Sequence, residues 1–438
     1  MPRTILRNFR IVDADTDFFG SIIIENNIIK EIIYDTENVP EADITINSGA
    51  FSHSAVLMPA FIDLHAHFRE PAFPEQETPF PAETLESAAL AAAAGGYTTV
   101  VCMANTKPVI DTIEKARALK VRADALGLID LYPVLSLTKN MEGRELSGIK
   151  DLSAVETLML SEDGKDVADD NLFLAAMGEA KRLGIPVSCH CDFGGTEAEA
   201  AKTAGRPRAE WSRIEENNAV RRAIELGRKA GCHIHIAHVS TKEAAEMIRA
   251  AKKNPVAGCI LTCEATPHHI GATEEDARRM GDESFGRVNP PLRSEADRQA
   301  IIAAIHDGTI DAIATDHAPH READKAAGSP GFSGLETAFT VCLSRLTREM
   351  TPNQELQRLS ALMSKNPARI LGLKDRGKIA EGLRADLVIV DIQAHNKINP
   401  ARFKSRGKCS PFADKELRGK ILMTLNAGKI VYMEDEIA

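Results

Sequence analysis

The spacing of apolar residues changes twice along the 438-residue chain, and the changes mark out three stretches. Up to residue 56 the apolar positions fall in short β-branched runs. Ser21-Ile22-Ile23-Ile24-Glu25 and Ile28-Ile29-Lys30-Glu31-Ile32-Ile33 are joined by Asn26-Asn27. Asparagine tolerates the left-handed backbone of a tight turn, so these runs predict a β-hairpin. From residue 57 onward, runs of strand length alternate with longer helical stretches. The apolar run 55–60, with the segment 61–67 behind it, predicts a buried first strand. Further strands are predicted at 97–103, 130–135, 157–160, 185–190, 233–238, 259–264 and 310–316. Helices are predicted at 82–94, closed by Gly95-Gly96, and at 111–126, 169–183, 213–230, 241–253 and 293–306. Strands alternating with helices in this way predict an α/β fold of the (β/α)8 barrel type. After about residue 375 β-type runs return, at 385–391 and 429–432. The expected organisation is a barrel at 57–374 and a small discontinuous β domain built from both chain ends, 1–56 plus 375–438.

Composition narrows the class of protein. The chain is 44% hydrophobic and 26% charged, ordinary for a globular protein, and long enough for a barrel of about 250 residues with a second unit. The net charge of −10 and the lack of a dense basic cluster argue against nucleic acid as a partner. No uninterrupted apolar run reaches the roughly 18 residues of a membrane-spanning helix, and Met1-Pro2-Arg3-Thr4 lacks the apolar core of a signal peptide. The eight cysteines are scattered without a CxxC pair, which predicts reduced thiols and a cytoplasmic location.

Barrel enzymes carry their chemistry at the C-terminal ends of the strands. Polar residues fall at those ends here. His65 and His67 follow strand one, Asn105 strand two, Asp163 strand four, His190 strand five, His238 strand six and Asp316 strand eight. Asp63, His65 and His67 share strand parity, so both imidazoles can chelate one ion. Arg69 continues that parity with a guanidinium fork suited to a carboxylate. Four histidines and two carboxylates match a site for two borderline ions, most simply Zn2+. In His233-Ile234-His235-Ile236-Ala237-His238, parity separates His238 from the other two. His238 ends the strand and is the expected ligand, whereas His233 and His235 are expected to pack under helices. Cys189 and Cys191 flank His190 with opposite parity and are expected to be packed thiols. His268 and His269 follow Thr266-Pro267 with no role assigned. His53, His306 and His395 are expected at the surface, and His317 behind its neighbour Asp316.

Several segments together resemble the dihydroorotase family of the amidohydrolase superfamily, in its long bacterial form, class I. They are His65-Ala66-His67-Phe68-Arg69-Glu70-Pro71, Met103-Ala104-Asn105-Thr106, Asn289-Pro290-Pro291-Leu292-Arg293, Thr315-Asp316-His317-Ala318-Pro319-His320 and Gly334-Leu335-Glu336-Thr337. The resemblance covers essentially the whole chain. It implies a zinc centre with two Zn2+ per subunit, His65 and His67 holding one ion and His190 and His238 the other. A bridging carboxylate is expected in Ser161-Glu162-Asp163-Gly164: Asp163 is assigned, with Glu162 as the alternative and Lys165 as a third candidate. Asp316 is implied both as a metal ligand and as the catalytic acid/base. Arg69, Asn105 and His320 would hold a substrate carboxylate. Asn289 and the backbone at Pro330 and Gly331 would contact ring amide groups. The segment 320–334 is expected to be a mobile lid. The implied reaction is reversible hydrolysis of (S)-dihydroorotate to N-carbamoyl-L-aspartate in de novo pyrimidine (UMP) biosynthesis. Homo-oligomerisation and association with aspartate transcarbamoylase are further expectations. The alternatives are another cyclic amidohydrolase, a dihydropyrimidinase or allantoinase, which would not need Arg69, and an inactive scaffold paralogue, which would be expected to lack ligands.

Overall fold

The computed structural model describes residues 2–34, 40–70, 81–152, 157–193, 195–346 and 352–435. Pro71, the last residue of the first motif, lies outside them. Five strands precede the barrel: β1 (Thr4–Val12), β2 (Asp17–Glu25), β3 (Ile28–Ile33), β4 (Ile44–Asn47) and β5 (Ala55–Pro59). The barrel strands are β6 (Phe61–Ala66), β7 (Tyr97–Cys102), β8 (Asp130–Pro133), β9 (Leu160–Ser161), β10 (Val187–Cys189), β11 (His233–Ile236), β12 (Ile260–Ala265) and β13 (Ala312–Ile313). Three more follow: β14 (Leu387–Lys397), β15 (Glu416–Asn426) and β16 (Lys429–Met433).

The outer eight strands form one sheet in the order β16-β15-β14-β5-β1-β2-β3, with β4 paired to β1. Asn26 and Asn27 both take positive φ, 49° and 71°, as the β2–β3 hairpin turn requires. The seam between the chain ends is β5, antiparallel to β14 and parallel to β1. Its alternating side chains serve two cores. Ala55 and Leu57 pack with Phe9, Ile22 and Ile389 in the core of the end sheet. Val56 and Met58 pack with Phe61, Val388 and Val390 against the barrel. The expectation that the apolar run 55–60 belongs to the first barrel strand therefore fails: the chain changes sheet at Ala60. Both faces are buried, so the run carries no polar alternation to mark the change.

Parallel strands β6-β7-β8 form one part of the barrel wall and β9-β10-β11-β12-β13 the other. Parallel bridges Leu135–Leu160 and Ala66–His317 close the ring, the second through a 2.8 Å hydrogen bond from His67 N–H to the His317 carbonyl. Between strands lie helices Leu85–Ala94, Ile113–Leu126, Asp170–Leu183, Arg208–Ala230, Lys242–Lys253 and Glu295–His306. The first starts on a Thr84/Ser87 capping box and ends at Gly95, where a Cβ would lie 2.3 Å from the Leu335 carbonyl oxygen. Strands four and eight are shorter than their apolar runs, two residues each.

At the N-terminal end of the barrel a buried arginine ties wall to end sheet. Arg376 donates to Thr99 Oγ1 at 2.8 Å and Asp130 Oδ2 at 2.7 Å, and lies 3.4 Å from Asp386 Oδ2. Removing one partner of a buried ion network leaves carboxylates uncompensated. Arg376→Met should lower the unfolding free energy by about 3 kcal/mol. Denaturant titration of the variant checks this, and a loss under about 1 kcal/mol would contradict it.

Candidate metal centre

The strand ends bring six ionisable side chains into one buried cluster. His65 Nε2 lies 3.1 Å from Asp163 Oδ1 and 3.6 Å from Asp316 Oδ1. His67 Nε2 lies 3.2 Å from Asp316 Oδ1 and 3.4 Å from Asp163 Oδ2. His190 Nδ1 is 3.0 Å from Asp163 Oδ1 and 2.8 Å from His238 Nε2. Asp163 thus touches three of the four histidines. Its rivals face elsewhere: Glu162 accepts from Thr138 N–H at 3.0 Å, and Lys165 Nζ donates to the Met141 carbonyl at 3.1 Å. Cys189 and Cys191 are buried thiols whose pKa burial pushes up, outside the cluster.

Two of these residues, and Arg69 beside them, sit in left-handed backbone: His238 at φ 33°, Asp316 at 44° and Arg69 at 57°. Such positions cost on the order of 1–3 kcal/mol each unless neighbours enforce them. Asp63 enforces Asp316. Its Oδ1 accepts from Thr315 N–H at 2.9 Å and its Oδ2 from Thr315 Oγ1 at 2.5 Å. Glu216 enforces His238, accepting from the N–H groups of Ser240 and Thr241 at 2.8 and 3.0 Å while Arg293 neutralises it at 3.0 Å.

Burial works against the charges of Asp163 and Asp316. The imidazoles outweigh it: His65, His190 and His67 hold the Asp163 carboxyl well below the usual range, and the His67 hydrogen bond with the charge of His65 does the same for Asp316. Burial likewise lowers the histidines. Asp163 reverses this for His65, raised well above its ordinary value, and for His190, pushed up to about 9. Burial and the facing His190 push His238 down to about 3.

His65 Nε2 is buried with no hydrogen-bond partner although it faces two carboxylates. Two overlapping sets, His65/Asp163/His238 and His65/His67/Asp316, each place three ligand atoms within 4.8 Å of one another. Imidazole nitrogens and carboxylate oxygens around an orphaned nitrogen are the donor set of a divalent ion such as Zn2+. The residues present fit a metal.

Glu264, at the end of β12, carried no sequence expectation. It holds His65 Nδ1 at 3.0 Å and His235 Nε2 at 2.9 Å. Its signal was a carboxylate on the seventh strand, aligned with the other strand-end ligands. His235 is accordingly inside the barrel, and with His233 it reaches Thr262 Oγ1 at 2.9 and 2.8 Å. The expectation that these two pack under helices fails, because β11 ends at Ile236 and the turn at His238 breaks strand parity. His317 lies behind Asp316, its Nε2 3.6 Å from Glu83 and its Nδ1 accepting from Gly334 N–H. His268 and His269 are buried, and His53, His306 and His395 are exposed.

The residues expected to bind substrate border the cluster. Arg69 Nη2 and the Pro330 carbonyl both approach His320 Nε2, at 3.2 and 2.8 Å. Asn105 is occupied with His67 Nδ1 at 2.9 Å and Asp163 Oδ2 at 3.1 Å. Asn289 Nδ2 lies 3.3 Å from both His190 Nε2 and Asp192 Oδ2. The Gly331 N–H donates to the Arg287 carbonyl, leaving the Pro330 carbonyl as the group this segment turns toward His320. The segment 320–334 is held through the backbone: Ala318 bonds Phe332, Ser333 bonds Cys409 and Gly331 bonds Arg287.

Residues 56–431 match the amidohydrolase family. The chain is 40% identical over 429 residues to the dihydroorotase of Clostridium botulinum, covering 98% of this chain and 99% of that protein. It is 34% identical over 446 residues to the dihydroorotase of Halalkalibacterium halodurans, covering both in full. Among solved structures, the L-hydantoinase (dihydropyrimidinase) of Arthrobacter aurescens superposes with TM-score 0.84 and 25% identity, over 99% of this chain and 96% of that one.

An ion entering this cluster must displace the protons on His65 and His190. Apparent zinc affinity should therefore rise with pH between about 6 and 9, by roughly tenfold per unit for each proton released. Chelator competition at several pH values reads this, and a flat profile would refute it. Asp163→Ala should lose metal, Lys165→Ala should keep it, and Glu264→Gln should weaken it by about 10- to 100-fold through His65. Metal analysis after dialysis distinguishes the three, and loss on Lys165→Ala instead would overturn the assignment.

Proposed function

The chain belongs to the amidohydrolase family, and we propose that it is a zinc-dependent dihydroorotase, opening (S)-dihydroorotate to N-carbamoyl-L-aspartate reversibly in de novo UMP synthesis. The observation that carries this reading is Arg69 with His320 and the Pro330 carbonyl beside the histidine–carboxylate cluster. A ring amide must meet the cluster while a carboxylate meets the guanidinium. Full-length likeness to bacterial dihydroorotases supports the same substrate. A dihydropyrimidine ring without a carboxylate leaves Arg69 unused, which disfavours the hydantoinase alternative.

His65, His67, Asp163, His190, His238 and Asp316 would hold two zinc ions, Asp163 being the carboxylate that touches three of the four histidines. When bound, such ions lower the pKa of a water and polarise a carbonyl. Asp316, ionised and buried, accepts the proton of the attacking water and returns it to the departing ring nitrogen. Arg69 takes the substrate carboxylate, with His320 beside it turned to the Pro330 carbonyl and Asn105 at the border holding His67 and Asp163. Asn289 and the Pro330 carbonyl would face the ring amide groups; the expected contact from Gly331 fails, because its N–H is taken by the Arg287 carbonyl and its carbonyl by Lys325. A homo-oligomer, a cytoplasmic location and association with aspartate transcarbamoylase belong to the same proposal. Exposed Phe19 and Tyr34 at the end sheet support the first, and eight free cysteines the second. No helix among the described residues is long and apolar enough to cross a membrane.

The guanidinium fork binds a carboxylate bidentately, which a lysine cannot reproduce. Arg69→Lys should lower kcat/KM on dihydroorotate by about a hundredfold, equivalent to losing two charge-assisted hydrogen bonds of roughly 1.5 kcal/mol each. Any turnover of dihydrouracil should change little. Equal losses on both would make Arg69 a structural residue. A parent that prefers dihydrouracil or allantoin would end the dihydroorotase reading.

A further inference from the structure

Lys325 is 1% exposed and has no carboxylate partner among its hydrogen bonds. An ammonium in such a place is costly unless its donors are all used. Here they are. Nζ donates to the carbonyls of Arg287 at 2.8 Å, Ser329 at 2.8 Å and Gly331 at 3.0 Å, and sits 5.3 Å from the centre of the Phe332 ring.

The three carbonyls are not arbitrary. Those of Ser329 and Gly331 bracket Pro330, whose own carbonyl is turned out to His320 Nε2. Arg287 supplies the carbonyl that also accepts from Gly331 N–H. Gly331 has φ 136°, and a Cβ there would lie 2.5 Å from the Ala318 Cβ, so the segment is pressed against the loop of Asp316. His320 Nε2 has two neighbours, the Arg69 guanidinium and the Pro330 carbonyl, and can serve only one as acceptor or donor. With the Pro330 carbonyl fixed, Nε2 carries the proton and donates to it. It then has no lone pair for Arg69, whose Nη2 is left to the substrate.

We propose that Lys325 is a positioning residue for substrate recognition: its ammonium staples the 329–331 backbone so that Pro330 fixes the His320 tautomer and leaves Arg69 for the substrate carboxylate. This rests on the dihydroorotase reading. It assigns no chemical step to Lys325, so the expected defect is in binding.

The test is steady-state kinetics of zinc-loaded parent, Lys325→Met, Arg69→Lys and the double variant on dihydroorotate, with melting temperature and metal content measured on each. Methionine keeps the length of the side chain and removes the charge. Lys325→Met should raise KM about tenfold or more with kcat within about threefold, and keep its zinc. Because Lys325 acts through Arg69, the double variant should lose less than the product of the single losses. An unchanged KM, a loss confined to kcat, or multiplicative losses would overturn the proposal. If Lys325→Met does not fold, Phe332→Leu removes the ring face beside Nζ, together with the ring's edge contact to His268, and should raise KM about two- to fivefold at unchanged kcat; no rise would overturn it. A parent inactive on dihydroorotate would refute the function reading and this role with it. An active parent with an unmoved variant would refute only the role of Lys325.

Discussion

Six ionisable side chains removed from water at one point are the constraint on which the rest of this structure depends. Isolated, each charge would carry a desolvation penalty of several kcal/mol. Together they compensate one another, with Asp163 against three imidazoles and Asp316 against two. The compensation is incomplete. His65 Nε2 lacks a hydrogen bond, and the His190 and His238 nitrogens face each other at 2.8 Å. A cation completes the set more fully than protons do. The fold's task is to hold this unfavourable cluster open, and the surrounding elements answer that demand.

They answer it by clamping backbone. Asp63, Glu216 and Glu264 are themselves buried carboxylates, each spent on a loop or ring carrying a ligand. Asp63 holds the turn of Asp316, Glu216 the turn of His238, and Glu264 the imidazole of His65. At the opposite end, Arg376 fixes the barrel to the sheet made from the chain termini. Stability and chemistry are thus separated along the barrel axis, as is usual for this architecture.

That separation explains what was legible in the sequence. The strand–helix alternation, the paired ends and the clustering of histidines and carboxylates at the strand ends show in one dimension, because period and position encode them. The change of sheet at Ala60 does not show, since Val56 and Leu57 are equally apolar whichever core they enter. Strand parity located His65 and His67 but misplaced His235, because parity holds only inside a strand and β11 stops before His238. Glu264 and Lys325 were missed for another reason. Only its place at a strand end marks Glu264, whose partner His65 lies 199 positions away, and the backbone carbonyls that hold Lys325 leave no pattern in the sequence.

The same reasoning places substrate choice outside the barrel wall. The hydantoinase relatives share the scaffold, so the scaffold cannot distinguish a ring that carries a carboxylate from one that does not. What can distinguish them is charge at the rim, and here it depends on a short chain of contacts. Arg69 is held in left-handed backbone one side of the cluster, and the 320–331 segment faces it on the other. A guanidinium selects a carboxylate only if no nearer acceptor occupies it. His320 is that nearer acceptor unless its nitrogen is already committed to the Pro330 carbonyl, and the commitment depends on where the backbone of residues 329–331 lies. Selectivity is therefore a property of how firmly a loop is fixed as much as of which side chains line the pocket.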